Sequence, residues 1–428
     1  MIKKLIQKYP FETGFAALAM LSRLPSLSNF NFANFPEFYR DYYMAENILL
    51  GHIPLLGPPS MQAHFNFGPV YYYILSPFLF IFGGHPSALI FAGFLLYTLS
   101  AIVFYKLLKL WLHDGYSAKV GTLFYAIAIY GIHLTSYISN PNFLPLFVLL
   151  YFYYLSKIVQ LEESGYKNYF ILGLVFGIAA QLHVTAAILL LASVWPVAKI
   201  FKHQNFTSTL KKIGVGLLGV IFISAPYVWF ELTHKFQNLL SLLGFGQNHL
   251  TGGGTANGLE AVLNFFSAAI NPFELKNSYS YLEPNFLYAF VAVAAAALAM
   301  IVIFAAIKNK SPISKNKIFS TTAQKILLGW FGFGLLLTLL FNRGLHDHYL
   351  IILWPLPAIL IAAAAQWLKN WLNVTYPFVI FIALISALQL YSFYHKPTLS
   401  WQEFFGIYPV RYQNNPNTAD IGFSPVQW

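Results

Sequence analysis

The chain of 428 residues has no cysteine at all. That excludes disulfides and thiolate metal sites, while leaving the compartment open. Charge is also scarce: 9% of residues are Asp, Glu, Lys or Arg, against about 25% in ordinary soluble domains. A soluble protein of this size could not solvate its surface on so little. Acids number 14. The space is filled instead by apolar residues, 58% of the chain, with 42 Phe and 28 Tyr. Several apolar runs approach or exceed the roughly 20 residues that span a bilayer. The sequence therefore reads as an all-α, polytopic helical membrane protein. A formal charge of +11 could suggest nucleic acid, but its distribution follows the positive-inside rule. Membrane lipids are the expected partners, and no nucleic acid is.

Crossings are expected near 8–25, 86–106, 118–138, 141–158, 168–182, 184–201, 212–230, 284–307, 323–342, 349–368 and 375–394, about 11 in all. The first follows MIKK without a small-residue cleavage site, so it reads as a retained helix. Lys3, Lys4, Lys8, Lys106, Lys109, Lys119, Lys157, Lys167, Lys199, Lys202, Lys211, Lys212, Lys308, Lys310, Lys315, Lys317 and Lys325 all fall on one side if 69–84 does not cross. That segment is short, contains Pro77 and opens on Tyr71, Tyr72 and Tyr73, as an interfacial or re-entrant helix would. The resulting topology has a cytoplasmic N-terminus and an external C-terminus in the cell (inner) membrane. The membrane domain is 1–394, and 395–428 is a short external tail. Asn-x-Ser/Thr triplets at Asn205, Asn309 and Asn373 fall inside and should carry no glycan.

Sidedness separates the charges. Arg23, Arg40, Arg343 and Arg411 land outside, while the inner face uses lysine only. Arginine is favoured where a phosphate must be held by two parallel hydrogen bonds. Two long external loops, 26–85 and 231–283, carry most of the chain outside the bilayer. The second holds TGGGTANG, from Thr251 to Gly258, which lacks a strand–loop–helix context for phosphate cradling and reads as a mobile loop.

The first loop opens on PEFYRDYYMAENILLGH. Pro36 at the first helical position and Gly51 beyond the last apolar turn frame a helix over roughly 36–50. Phe38, Tyr42, Ala45 and Leu49 form its apolar stripe, Glu37 and Asp41 (i, i+4) share a separate face, and Glu46 lies far round. An acid in the first turn is favoured by the helix dipole alone, which is the structural account of Glu37. Aspartate is a poor interior helix residue, so Asp41 asks for another account. A carboxylate here could take the proton from an acceptor hydroxyl as its oxygen attacks a sugar carbon. Two such charges one turn apart would raise one pKa or recruit a divalent cation.

In NRGLHDHYLIILWP, Arg343, His346, Asp347 and His348 crowd together, either as a polar cap between helices or as the grip on a phosphate leaving group. Two histidines are too few to make a metal motif. His183, in QLHVTAA, ends a helix, and His64 lies in the first loop; each is either a hydrogen-bonded interface residue or a ligand. Asn140 and Asn142 are expected to cap the helix that follows them.

The run EFYRD…AENILLGHIPLLGPPS…HFNFGPVYYYILSP resembles the first external loop of the GT-C membrane glycosyltransferases. It is most similar to the protein mannosyltransferase and lipid A aminoarabinose transferase relatives of prokaryotes. NPNFLPLF, QLHVTAA, FELTHKFQN and LHDHYLIILWP recur in the same order. The resemblance implies inverting transfer of a sugar from a polyprenyl-phosphate donor to a hydroxyl acceptor (protein, lipid or glycan) at the outer face. It also implies a catalytic acid in the first loop. Relatives read Asp-x-x-Arg-Asp where this chain has Glu37, Arg40 and Asp41, so Asp41 matches in identity and Glu37 in position. Arg40, Arg343, His348, His346, His64, Tyr72 and His183 are then the candidate substrate-binding residues, with no metal ligand assigned. Two other classes stay open: a flippase for a lipid-linked saccharide, and a non-catalytic membrane relative.

Overall fold

A computed structural model of the protein describes residues 2–24, 36–60, 65–136, 138–160, 165–251, 318–340 and 347–372, with single positions at 383 and 387. The crossings expected at 284–307 and 375–394, the loop 252–258 and the tail 395–428 lie outside these residues.

The described elements are helices: α1 (Ile2–Lys8), α2 (Pro10–Leu21), α3 (Pro36–Leu49), α4 (Val70–Ile81), α5 (Ser87–Trp111), α6 (Gly115–Ile127), α7 (Ile129–Ser136), α8 (Leu144–Gln160), α9 (Tyr166–Leu182), α10 (Ala187–Ala192), α11 (Val194–His203), α12 (Phe206–Thr233), α13 (Gln237–Thr251), α14 (Thr321–Leu340) and α15 (Pro355–Leu372). Among the described residues, five helical stretches are long and apolar enough to cross a membrane: Ser87–Trp111, Asn140–Gln160, Val184–Lys202, Phe206–Thr233 and Ile351–Lys369. Each coincides with an expected crossing. The protein is an all-α, multi-helix membrane protein.

The crossing expected at 8–25 is a helix of only 12 residues, α2, and two further segments depart from simple crossings. The stretch expected at 118–138 breaks at Ala128, whose extended ψ of 135° separates α6 from α7. A break exposes carbonyls that lipid cannot satisfy. Here Arg23 donates to Ala126 O at 2.8 Å and the Tyr97 hydroxyl donates to Tyr125 O at 2.8 Å. Arg23 is wholly buried, with its guanidinium 3.7 Å from the Tyr97 ring centroid, so this arginine serves the helix break. The other segment is α4. Its 12 residues rise only about 18 Å, too short to cross, as its proline and tyrosines suggest. It ends in a turn through Gly83 and Gly84, both left-handed at φ 60° and 79°, and passes directly into α5.

The closest packing is between α9 and α12, where Gly173 faces the backbone of Gly216 and Gly219 faces that of Phe170. Small residues let helices approach where the hydrophobic effect gives no help. Beyond this seam α12 exposes Leu217, Leu218, Ile221, Phe222 and Trp229.

Lysines gather at one end of the bundle. Lys119, at the start of α6, lies 3.7 Å from the Phe11 ring centroid on α2. Lys369, ending α15, meets Asp114, just before α6, at 2.9 Å. Lys212, early in α12, lies over Tyr169, early in α9. The opposite ends of these helices carry Arg23, His183, Glu231 and the α3–α4 hairpin, so the polar site residues collect at the end away from Lys119, Lys212 and Lys369.

Candidate active site

Helix α3 is built as its sequence dictates at both ends. Pro36 starts it, and Gly51 stops it with φ 92°. Gly51 N bonds Ile48 O at 3.1 Å and His52 N bonds Asn47 O at 2.9 Å, the paired closure of a Schellman cap that only a left-handed residue permits. The buried face is Phe38, Asp41, Tyr42 and Ala45. The sequence reading needs correcting here. Asp41 does not share a surface face with Glu37. It lies one step from the apolar stripe and is completely buried, while Glu37 is partly exposed and Leu49 is exposed. The reason is α4, which packs along that flank and covers Asp41.

Asp41 Oδ1 accepts from Arg40 Nε at 2.8 Å and lies 2.7 Å from Arg40 Nη2. Its Oδ2 accepts from the Tyr71 hydroxyl at 3.1 Å. Tyr72, also buried, interacts with both members of the ion pair. Burial pushes the Asp41 carboxyl up, Arg40 and Tyr71 offset part of that rise, the Glu37 carboxylate adds a smaller upward push, and the group comes to rest at about 6. Burial works against the Arg40 charge, but Asp41 and the neighbouring phenols outweigh it, so Arg40 stays protonated. Tyr71 keeps its proton, held by burial first and by Asp41 second. Glu46, the third acid of the helix, has Oε1 3.2 Å from the Tyr42 hydroxyl, which itself lies 2.7 Å from Gly84 O. That pair ties α3 to the turn after α4.

A second cluster lies on the other side of the α4 N-terminus. His183 follows α9 in extended backbone, and its Nδ1 accepts from Thr185 N at 3.3 Å and lies 2.8 Å from Thr185 Oγ1. An Nδ1 that accepts leaves the ring proton on Nε2. Burial, and then the nearby His348, lowers His183 to about 3; it is therefore neutral and can donate but not neutralise. Its ring stacks on Phe67 at 5.9 Å and meets His348 and Tyr349 edge-on at 5.5 and 5.2 Å. The structure thus brings His183 and His348 together, although 165 positions separate them in sequence.

Gln181 links the clusters. Its Oε1 accepts from Val70 N at 3.4 Å, and its Nε2 donates to Ser224 Oγ at 3.1 Å. Gly68 lies so close to the Gln181 side chain that any Cβ there would clash. Tyr71, four residues after Phe67, packs on Phe143 at 5.4 Å. Asn140 donates to Leu182 O at 2.6 Å, fixing the approach to His183. His64, Arg343 and His346 lie outside the described residues, as does the Asp347 side chain. Among the described residues no three His, Cys, Asp or Glu side chains converge as a metal site would require.

Tyr71, Gln181 and Phe67 were not singled out as site residues from sequence. Gln181 had a signal, a lone amide in an apolar helix beside His183. Tyr71 and Phe67 had none, because Tyr and Phe saturate this chain.

Residues 66–229 match the sequence model of the dolichyl-phosphate-mannose-protein mannosyltransferase family. The structure is similar to the crystal structure of the Archaeoglobus fulgidus oligosaccharyltransferase in its apo form, with a TM-score of 0.52 at 14% identity. The two chains share a fold. The likeness covers 97% of this chain and 59% of the archaeal enzyme, so the chain spans under two thirds of that protein's length. No curated protein matches the chain in sequence. The family match takes in Tyr71, Tyr72 and His183 but begins after α3. It therefore leaves Glu37, Arg40 and Asp41 to be judged on their geometry.

Proposed function

We propose that the protein is an inverting glycosyltransferase that moves a sugar from a polyprenyl-phosphate carrier to a hydroxyl acceptor at the outer face of the cell membrane. The observation that carries this reading is Asp41: a fully buried carboxylate, gripped by Arg40 and Tyr71, with its pKa raised to about 6. A base that ionises near working pH and sits among tyrosines rather than water suits proton abstraction from a hydroxyl.

Asp41 Oδ2 takes the acceptor hydroxyl proton as the acceptor oxygen forms its bond to the anomeric carbon. The bond from that carbon to the phosphate oxygen breaks on the opposite face, and polyprenyl phosphate departs with the electron pair. One carboxylate suffices, since a single displacement forms no glycosyl-enzyme. Arg40 acts mainly on Asp41, keeping it ionisable and fixed in direction. The departing phosphate falls to the other cluster, where His183 offers a neutral Nε2–H and His348 lies beside it. Arg343 and His346, close in sequence to His348, supply the countercharge. Tyr72, and by its place in the sequence His64, are assigned to donor binding. Lysines at the far end of the bundle support a cytoplasmic location for that end.

Asp41→Asn and Glu37→Gln, each assayed for transfer from a labelled polyprenyl-phosphate hexose, test the reading. Asp41→Asn should lose on the order of 10²–10⁴ in rate. Full activity in both variants refutes it, and movement of the lipid across vesicles without turnover supports a flippase.

A further inference from the structure

The stretch FELTHKFQN, where α12 gives way to the second external loop, plays no part in the reaction above, yet two of its residues hold left-handed backbone. After α12 ends at Thr233, Lys235 and Phe236 both adopt left-handed backbone, at φ 55° and 59°. Side chains with a Cβ resist that conformation, and it persists only where surroundings impose it. Here Phe236 N donates to Glu231 O at 2.7 Å. The buried Glu231 carboxylate accepts from Leu239 N at 3.3 Å, in the first turn of α13.

The corner presents Asn238 to the first external loop. Asn238 Oδ1 accepts from Asn66 N at 2.5 Å, and Asn238 Nδ2 donates to Asn66 O at 2.8 Å. A side-chain amide thus imitates one rung of a β-ladder, 172 positions away in sequence. Nδ2 also donates to the Tyr227 hydroxyl at 2.7 Å. Asn66 belongs to a narrow hairpin in which Gly57 N bonds Phe67 O at 2.8 Å and Phe67 N bonds Pro58 O at 2.9 Å. Phe67 is the residue stacked on His183.

We infer that Asn238 is a positioning residue that latches the first external loop to the start of the second, and thereby holds Phe67 against His183 on the donor-phosphate side of the site. Its kinetic consequence rests on the transfer reaction proposed above; the latch itself does not. Asn238→Ala removes all three bonds. Asn238→Asp keeps only an acceptor for Asn66 N, and Tyr227→Phe leaves both Asn66 bonds in place.

The test measures amide hydrogen exchange over 57–67 and transfer kinetics for each full-length variant in proteoliposomes. Asn238→Ala should speed exchange at Asn66 and Phe67 while α3 amides stay as they were. It should raise KM for the polyprenyl-phosphate hexose about tenfold, leaving kcat and the pH limb of Asp41 unmoved. Asn238→Asp should fall between, and Tyr227→Phe, which keeps both Asn66 bonds but takes a hydroxyl from the buried Glu231, should stay closer to wild type than Asn238→Ala. Unchanged exchange across 57–67 in Asn238→Ala overturns the latch. Faster exchange with an unaltered KM overturns its bearing on the donor. If the unaltered protein shows no turnover, the transfer reading fails, and the exchange data still decide the latch.

Discussion

Arg40 and Asp41 are neighbours in sequence, and both Nε and Nη2 of the arginine converge on the same carboxylate oxygen, at 2.8 and 2.7 Å. The second oxygen is thereby left to Tyr71 and, in the proposed reaction, to the acceptor. An ion pair this sheltered is costly to break from one side, since removing either partner strands the other.

The first consequence is a pH profile. If Asp41 must be ionised to take a proton, kcat/KM should rise with pH through a limb near 6 and level off above it, because burial has moved the group there. Arg40→Gln removes a cation that favours the ionised form, so the limb should move to higher pH. Tyr71→Phe should move it the same way by less. A limb that stays put in both variants assigns it to another group.

The same shift bears on stability. Asp41 binds its proton more tightly in the fold than in the unfolded chain, where the ordinary value is 3.8. Its contribution is therefore most favourable below that value and declines as pH rises through about 6. Thermal unfolding in detergent at pH 4.5 and 7.5 should show a smaller decline in Asp41→Asn than in the unaltered protein.

His183 should contribute no limb between pH 5 and 8, since burial keeps it neutral. His183→Ala should raise donor KM roughly tenfold through the lost Nε2–H, and His183→Asn should recover part of it. A profile whose alkaline limb vanishes in His183→Ala would mean that the ring is charged in the working enzyme.

The α9–α12 seam makes a folding prediction. A methyl at Gly173 or Gly219 would strike the backbone of the facing helix, so Gly173→Ala should cost on the order of 1–3 kcal/mol. Gly14, whose added Cβ meets nothing, should tolerate alanine with unchanged or slightly improved stability. Equal melting temperatures for the two variants would show that the helices can part freely.

The helices were legible because composition and run length speak directly to a bilayer. Pro36 and Gly51 marked α3 to within a residue, and Pro77 with the flanking tyrosines marked α4 as too short to cross. The burial of Asp41 was not legible. A helical wheel places it beside the stripe of Phe38, Tyr42 and Ala45 but cannot say whether a neighbour covers that flank; α4 does. The break at Ala128 was hidden as well, because nothing in YAIAIYG departs from an apolar crossing; its cause is the pair of donors, Arg23 and Tyr97, brought from other helices. His183 and His348 were each noticed, but their meeting required the fold.

Two successive residues bent the wrong way at Lys235 and Phe236 store roughly 2–4 kcal/mol. Release the contacts that impose that bend, and Lys235 and Phe236 would relax toward right-handed backbone, changing the angle between α12 and α13 and carrying Asn238 off Asn66. The sharp elbow is therefore a loaded spring, and the small amide at position 238 is one of the catches that keep it cocked.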